Sequence, residues 1–245
     1  GADYNGLLVF PEDTPVGVDV KPILGLDDWI FDIGITANRP DCQSIVGIAR
    51  EIAAVLEKPF KAPALDFTAD DATIENFKVT VDCPELCHRY SAHYIHDVKI
   101  EESPLWMRRR LQLVGIGAIS NVVDITNYIL KELGQPMHAF DYTTLEGDAI
   151  NVRRATEGEK IVTLDEDELT LTTENMLICD GVKPVALAGV MGGLNSEIKD
   201  TTTTVLFESA KFARDNIRRT SRAVGKSSDS SARYAKGVDE YATVM

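Results

Sequence analysis

Two periods of hydrophobic patterning divide the 245-residue chain into regions. Between Ser44 and Leu56 the apolar residues Ile45, Ile48, Ala49, Ile52 and Leu56 recur at helical spacing, with Asp41, just after Pro40, as the expected N-cap. Pro59 and Pro63 then deny regular hydrogen bonding to residues 58–66, which read as a linker. From Phe77 the period drops to two. Strands are expected at 77–81, 89–98, 150–153, 161–164, 169–172, 176–179, 184–188 and 203–208, with Asp180-Gly181 as a hairpin turn.

Helical spacing returns three times within this strand-rich region. Ser103-Pro104 opens a helix that Gly115 closes. A second runs from Asn121 to Leu133 before Gly134, with Val122, Ile125, Ile129 and Leu133 on one face, and a third from Phe212 to Val224 before Gly225. The third carries Arg214, Arg218 and Arg222 in a stripe, a solvated face that is also the best local candidate for touching phosphate. The fold expected is α+β: a mixed, largely antiparallel sheet or barrel with packed helices, preceded by a small helical segment. The division is placed at 1–66 and 67–245.

Composition narrows the class. Hydrophobic residues make up 44% and charged residues 26% of the chain, as in ordinary globular proteins. No apolar run reaches the roughly 18 residues of a membrane span and no signal peptide opens the chain, so a cytoplasmic location is expected. Twenty-five Lys and Arg against 39 Asp and Glu leave a net charge of −14, the wrong sign for holding nucleic acid by phosphate neutralisation alone. Cys42, Cys83, Cys87 and Cys179 lack a paired zinc-ligand spacing and read as reduced thiols; no metal site is expected. The absence of an initiating Met, and an ending at 241–245 within an apparent helix, suggest a domain excised from a longer chain.

Several segments could carry chemistry. Ala188-Gly189-Val190-Met191-Gly192-Gly193 follows a strand and lets backbone approach a ligand, yet it lacks the Gly-Lys-Ser/Thr ending of a phosphate loop; a tight bend explains it equally well. His138, in Gln135-Pro136-Met137-His138-Ala139-Phe140-Asp141, is a proton shuttle, a hydrogen-bond donor or a satisfied core residue. Thr126 and Asn127 are polar within an otherwise apolar helix, so at least one faces a cavity or an internal partner. Glu208 closes an apolar strand, where a carboxylate faces solvent, is buried for a purpose, or caps a helix. Ser227 to Tyr234, with Ser228 and Ser230, reads as a hydroxyl-rich turn without a nucleophile elbow.

These segments are similar, in order and spacing, to the β subunit of bacterial phenylalanyl-tRNA synthetases. The likeness is carried by 35–42 (Ile-Thr-Ala-Asn-Arg-Pro-Asp-Cys), 121–128 (Asn-Val-Val-Asp-Ile-Thr-Asn-Tyr), 135–141, 186–193 and 229–239. The resemblance implies the later part of a small helical domain followed by an editing domain, a deacylase that hydrolyses tyrosine misattached to tRNA(Phe). The parent, an α2β2 heterotetramer with a synthetase α subunit, ligates phenylalanine to tRNA(Phe) with ATP and Mg2+, none of which belongs to this segment.

Position by position, the resemblance implies His138, Asn127 and Gly192 as catalytic, and Glu208, Thr126, Gly189, Ser228 and Ser230 as substrate-binding, with Glu208 accepting a hydrogen bond from the tyrosine hydroxyl. The family's usual Thr-x-Ala is replaced here by Ser228-Asp229-Ser230. A non-catalytic scaffold facing the tRNA is the alternative of a different class.

Overall fold

A computed structural model describes residue 10 and residues 12–64, 76–239 and 241–244. The division expected at residue 66 falls outside the described residues. The first region holds α1 (Val20–Leu24) and α2 (Ile45–Val55). Helix α2 is capped by Ser44, whose hydroxyl accepts from the Gly47 N–H at 2.9 Å, and not by Asp41, which lies in the preceding 3-10 turn and is drawn off by Arg39. Ser is the better cap here because its short side chain reaches the third amide of the helix.

Strands β1 (Lys78–Val81) and β2 (Cys87–Ile95) follow, then α3 (Leu105–Leu113) and α4 (Asn121–Glu132). Ser103, expected to cap α3, instead donates its hydroxyl to Asp124 in α4 at 2.6 Å and so ties the two helices together. After α4 comes a strand that periodicity did not reveal, β3 (Met137–Asp141). Then come β4 (Ala149–Arg154), β5 (Lys160–Val162), β6 (Glu168–Thr170), β7 (Met176–Cys179), β8 (Pro184–Leu187), β9 (Met191–Gly192) and β10 (Val205–Phe212). Phe212, expected to open the third helix, closes β10; α5 spans Arg214–Ala223.

The segment from Ser227, read as a turn, is instead α6 (Asp229–Lys236). Ser228 caps it and Ser231 returns the bond to the Ser228 N–H, forming a capping box built wholly from serines. The chain's last described residues form a 3-10 turn at Ala242–Val244.

Among the described residues three sheets result: β1-β4-β7-β8-β9, β2-β10-β3 and β5-β6. Apart from the parallel pair β1–β4, all the pairings are antiparallel, and none of the sheets closes into a barrel. The main core lies where the five-stranded sheet meets one face of β10. Ile150, Val152, Leu177, Ile178, Val185 and Leu187 pack there with Phe140, Leu206, Ala210 and Phe212, and Ile217 of α5 and Tyr234 of α6 complete it. The opposite face of β10 gives Val205 and Phe207 to a smaller cluster with Val122 of α4 and Ala139. Burial on both faces explains why β10 opens on the unbroken apolar run Val205-Leu206-Phe207 rather than on an alternation.

Candidate functional site

The register of the three-stranded sheet assembles the site. Glu208 in β10 stands directly opposite His138 in β3 on one side and Ala92 in β2 on the other, while Tyr90 is paired with Ala210. Directly opposed and diagonal residues share a face, so His138, Glu208 and Tyr90 project from the same side of the sheet. That side also carries Leu206, Ala210 and Phe140 into the main core. Glu208 is therefore mid-strand and buried, at 5% exposure, rather than at a strand end.

A cavity of about 540 Å3 opens beside these residues, within the size range of small-molecule sites. Its lining includes all eight residues singled out from the sequence: Thr126, Asn127, His138, Gly189, Gly192, Glu208, Ser228 and Ser230. Five different elements and the loop after β8 thus converge on one hollow.

Their side chains are not equally free. The Thr126 hydroxyl donates to Val123 O within its own helix, at 2.7 Å. Ser228 is occupied by capping α6 and donates to Val190 O at 2.8 Å, and Ser230 donates to Gly189 O at 3.3 Å. Those two serines stitch α6 to the glycine loop. In contrast, the Asn127 amide and the His138 imidazole make no hydrogen bond among the described residues, and the one side-chain bond to Glu208 comes from the Tyr90 hydroxyl, at 3.1 Å to Oε2. Polar groups with spare capacity on an apolar cavity wall are the usual mark of a ligand site.

Burial sets the protonation states. Desolvation pushes the Glu208 carboxyl up to about 8, against a smaller downward pull from the Tyr90 hydrogen bond, so near neutral pH the group is mostly protonated rather than a bare carboxylate. Desolvation also pulls His138 down to about 4 and keeps the imidazole neutral. The His138 ring lies edge-on to Phe140, 4.6 Å between centroids.

Both glycines are required by packing. A Cβ at Gly192 would come within 2.5 Å of His138 Cε1, so the missing side chain is what lets the imidazole lie against the backbone. Gly189 has φ +67°, and a Cβ there would meet Ile217, Phe212 and Tyr234 at 2.9–3.0 Å. A residue larger than glycine at 189 would press on the core.

Outside the cavity, Arg214, Arg218 and Arg222 are exposed on α5, and Arg218, Arg222 and Lys226 line a smaller hollow between α5 and α6. Lys226 is engaged by Asp165 and Asp167. The four cysteines are buried free thiols. Asp41, Cys42 and Glu51 form the one ligand-like cluster among the described residues. It does not suit a cation, because Arg39 already bridges Asp41 and Glu51 at 2.7 and 2.6 Å.

The family model described as "B3/4 domain" matches residues 86–244, well over half of the chain. The chain belongs to the B3/4 domain family. Every side chain of the cavity lies within the matched span. This B3/4 domain is 51% identical, over 98% of its chain, to the phenylalanine–tRNA ligase β subunit of Syntrophus aciditrophicus, and 48% identical over 97% to that of Geobacter sulfurreducens. In both comparisons the chain spans about 30% of the relative's length. An N-terminal fragment of the phenylalanyl-tRNA synthetase β subunit from Pyrococcus horikoshii aligns with 75% of the chain and 58% of its own length, at 14% identity and a TM-score of 0.43. The resemblance to synthetase β subunits, carried above by five motifs, extends along nearly the whole sequence in the Syntrophus and Geobacter comparisons.

Proposed function

We propose that this B3/4 domain is the editing module of a phenylalanyl-tRNA synthetase β subunit, hydrolysing tyrosine wrongly esterified to tRNA(Phe). The observation that carries the reading is the cross-strand pair His138–Glu208 in one cavity, each with unspent hydrogen-bonding capacity: a polar recognition group beside a candidate hydrolytic one. The likeness to phenylalanine–tRNA ligase β subunits supports the substrate class.

Selectivity follows from Glu208. A tyrosyl ring entering the apolar hollow brings a phenol to the buried carboxyl, and the two exchange a hydrogen bond whether the carboxyl is protonated or ionised. Phenylalanine brings none and leaves a buried polar group unmatched, a cost of roughly 1–3 kcal/mol. Sites built around a substrate hydroxyl discriminate against its absence by up to about 10⁴–10⁵. Correctly charged tRNA is then spared.

Hydrolysis breaks the ester between the tyrosyl carbonyl carbon and the terminal ribose oxygen. Water adds to the carbonyl carbon, negative charge gathers on the carbonyl oxygen, and the ribose oxygen leaves with a proton. An ester this labile needs positioning and oxyanion stabilisation rather than a covalent nucleophile. His138, neutral and held low, is a weak base, and its role is to orient the attacking water. The Asn127 amide is the free donor for the developing oxyanion. Backbone near Gly192 has less to offer: the Gly193 N–H is bonded to Val185 O and the Val190 N–H to Leu187 O.

The parent enzyme, by this reading, ligates phenylalanine to tRNA(Phe) in the cytoplasm with ATP and Mg2+, alongside an α subunit in an α2β2 assembly. No residue of this chain is assigned to ATP or the metal. The exposed arginines of α5 are the surface for tRNA phosphates, while acidic Glu197 and Asp200 at the cavity rim oppose them.

The test is deacylation of purified tyrosyl-tRNA(Phe) by the assembled synthetase. Glu208→Ala is expected to cut clearance by about 10²-fold with assembly unchanged, the rate equivalent of roughly 3 kcal/mol, and His138→Ala to lower turnover. Unchanged clearance in Glu208→Ala would leave the segment as a tRNA-facing scaffold. Unchanged clearance in His138→Ala would make the histidine structural.

A further inference from the structure

Tyr90 is outside the cavity lining, behind Glu208, and no motif in the sequence draws attention to it. We propose that Tyr90 is a positioning residue for substrate selection: its hydroxyl engages Glu208 Oε2, fixes the carboxyl, and reserves the second oxygen for the phenol of the substrate. The inference rests on the editing function proposed above.

Geometry carries the case. Tyr90 and Glu208 are diagonal neighbours on adjacent strands, the distance at which an aromatic side chain reaches across a sheet. At 3.1 Å, theirs is the one side-chain hydrogen bond made to this carboxyl among the described residues. A glutamate side chain has three rotatable bonds, and neither Ala92 nor Ala210, which flank the pair, has the bulk to hold it. Without Tyr90 the carboxyl is free to swing, and nothing else polar among the described residues anchors its head. With Oε2 engaged, a neutral carboxyl carries its proton on Oε1, and an ionised one leaves Oε1 as the unspent acceptor. In either state one defined atom remains for the ligand. Burial and the neighbouring carboxyl push the Tyr90 phenol well above its ordinary range, so it stays a donor throughout.

The arrangement also duplicates the recognition it supports. Glu208 takes one phenol from the protein at Oε2 and is poised to take a second from the substrate at Oε1. A site preorganised in this way selects without reorganising when the ligand arrives.

The experiment is a double-mutant cycle in the assembled synthetase, comparing hydrolysis of tyrosyl- and phenylalanyl-tRNA(Phe). Tyr90→Phe, which keeps ring and shape, is expected to lower the tyrosyl-over-phenylalanyl ratio of kcat/KM about 10-fold. The loss should appear mainly in KM for the tyrosyl ester, with slow phenylalanyl hydrolysis unchanged. In a Glu208→Ala background the same substitution should have no further effect on the ratio. A ratio that stays at the wild-type value, or a loss of the same size in both backgrounds, would overturn the role of Tyr90. If Tyr90→Phe does not fold, 3-fluorotyrosine at position 90, a stronger donor of nearly the same shape, must shift the ratio; an unmoved ratio again overturns it. Failure of the unaltered enzyme to clear tyrosyl-tRNA would instead bring down the editing reading itself.

Discussion

In β7 and β8 every side chain is apolar and nearly every one is buried, from Met176 to Cys179 and from Pro184 to Leu187. Across the same core, the inward face of β2–β10–β3 interrupts Leu206, Ala210 and Phe140 with Tyr90, Glu208 and His138. The first sheet does what packing alone would choose. The second gives up stability to place ionisable groups where water is scarce, a concession expected at a functional site rather than in a scaffold. Two surfaces of one core thus differ in kind: the apolar sheet forms a wall, and the polar one brings its ionisable groups against the cavity.

The largest separation of these roles should come from Leu177→Ala in β7. Leu177 is fully buried and outside the cavity lining, so truncation should cost about 2–5 kcal/mol, read from the urea midpoint. By the editing function proposed above, the preference for tyrosyl over phenylalanyl ester in the folded enzyme should not change. A change in preference would mean that the two sheets are not independent.

Next in size is a pH effect confined to the polar sheet. The Glu208 carboxyl rises from an ordinary 4.5 to about 8 in the folded protein, so its contribution to stability is fully present below pH 4.5 and is lost as pH climbs through 8. The loss should be on the order of a few kcal/mol. His138 works in the opposite sense. Its value falls from 6.5 to about 4, so its contribution is present above 6.5 and lost as pH drops through 4. Glu208→Gln should flatten the decline of the denaturation midpoint between pH 5 and 8.5, leaving only the acid limb. A wild-type midpoint already flat over that range would contradict the burial of the carboxyl.

The smallest effect lies outside both sheets. If Arg218 and Arg222 pair with phosphates, replacing each by Ala should reduce the slope of log affinity for tRNA against log salt by roughly 0.7–0.9 for every phosphate no longer neutralised. Deacylation of saturating tyrosyl-tRNA should be nearly unaltered. An unchanged slope would return the stripe to a solvated helix face.

Much of the architecture was legible from local signals. The spacing of Ile45, Ile48 and Ile52, the apolar face of α4 and the arginine stripe of α5 reported helices because neighbours three and four residues apart share a face whatever the tertiary context. Elements were missed where that signal is weak. Strand β3 has five residues and begins just after Pro136, too short for alternation to show. Helix α6 opens with serines, poor helix formers, and its capping box uses Ser231 where Glu or Gln is usual.

The candidate residues could be named one at a time, since a histidine after a proline turn or a glutamate in an apolar strand stands out by type alone. Their convergence could not be seen in the same way. His138 and Glu208 are partners only through the β3–β10 register, and Tyr90 reaches Glu208 across 118 residues of chain. Pattern along the sequence determined most of the helices, most of the strands and the chemical inventory, because those depend on near neighbours. Long-range strand pairing decided which polar groups share a cavity, how far burial shifts their protons, and that the decisive carboxyl has a phenol behind it, because desolvation and register exist only after the sheets have closed over one another.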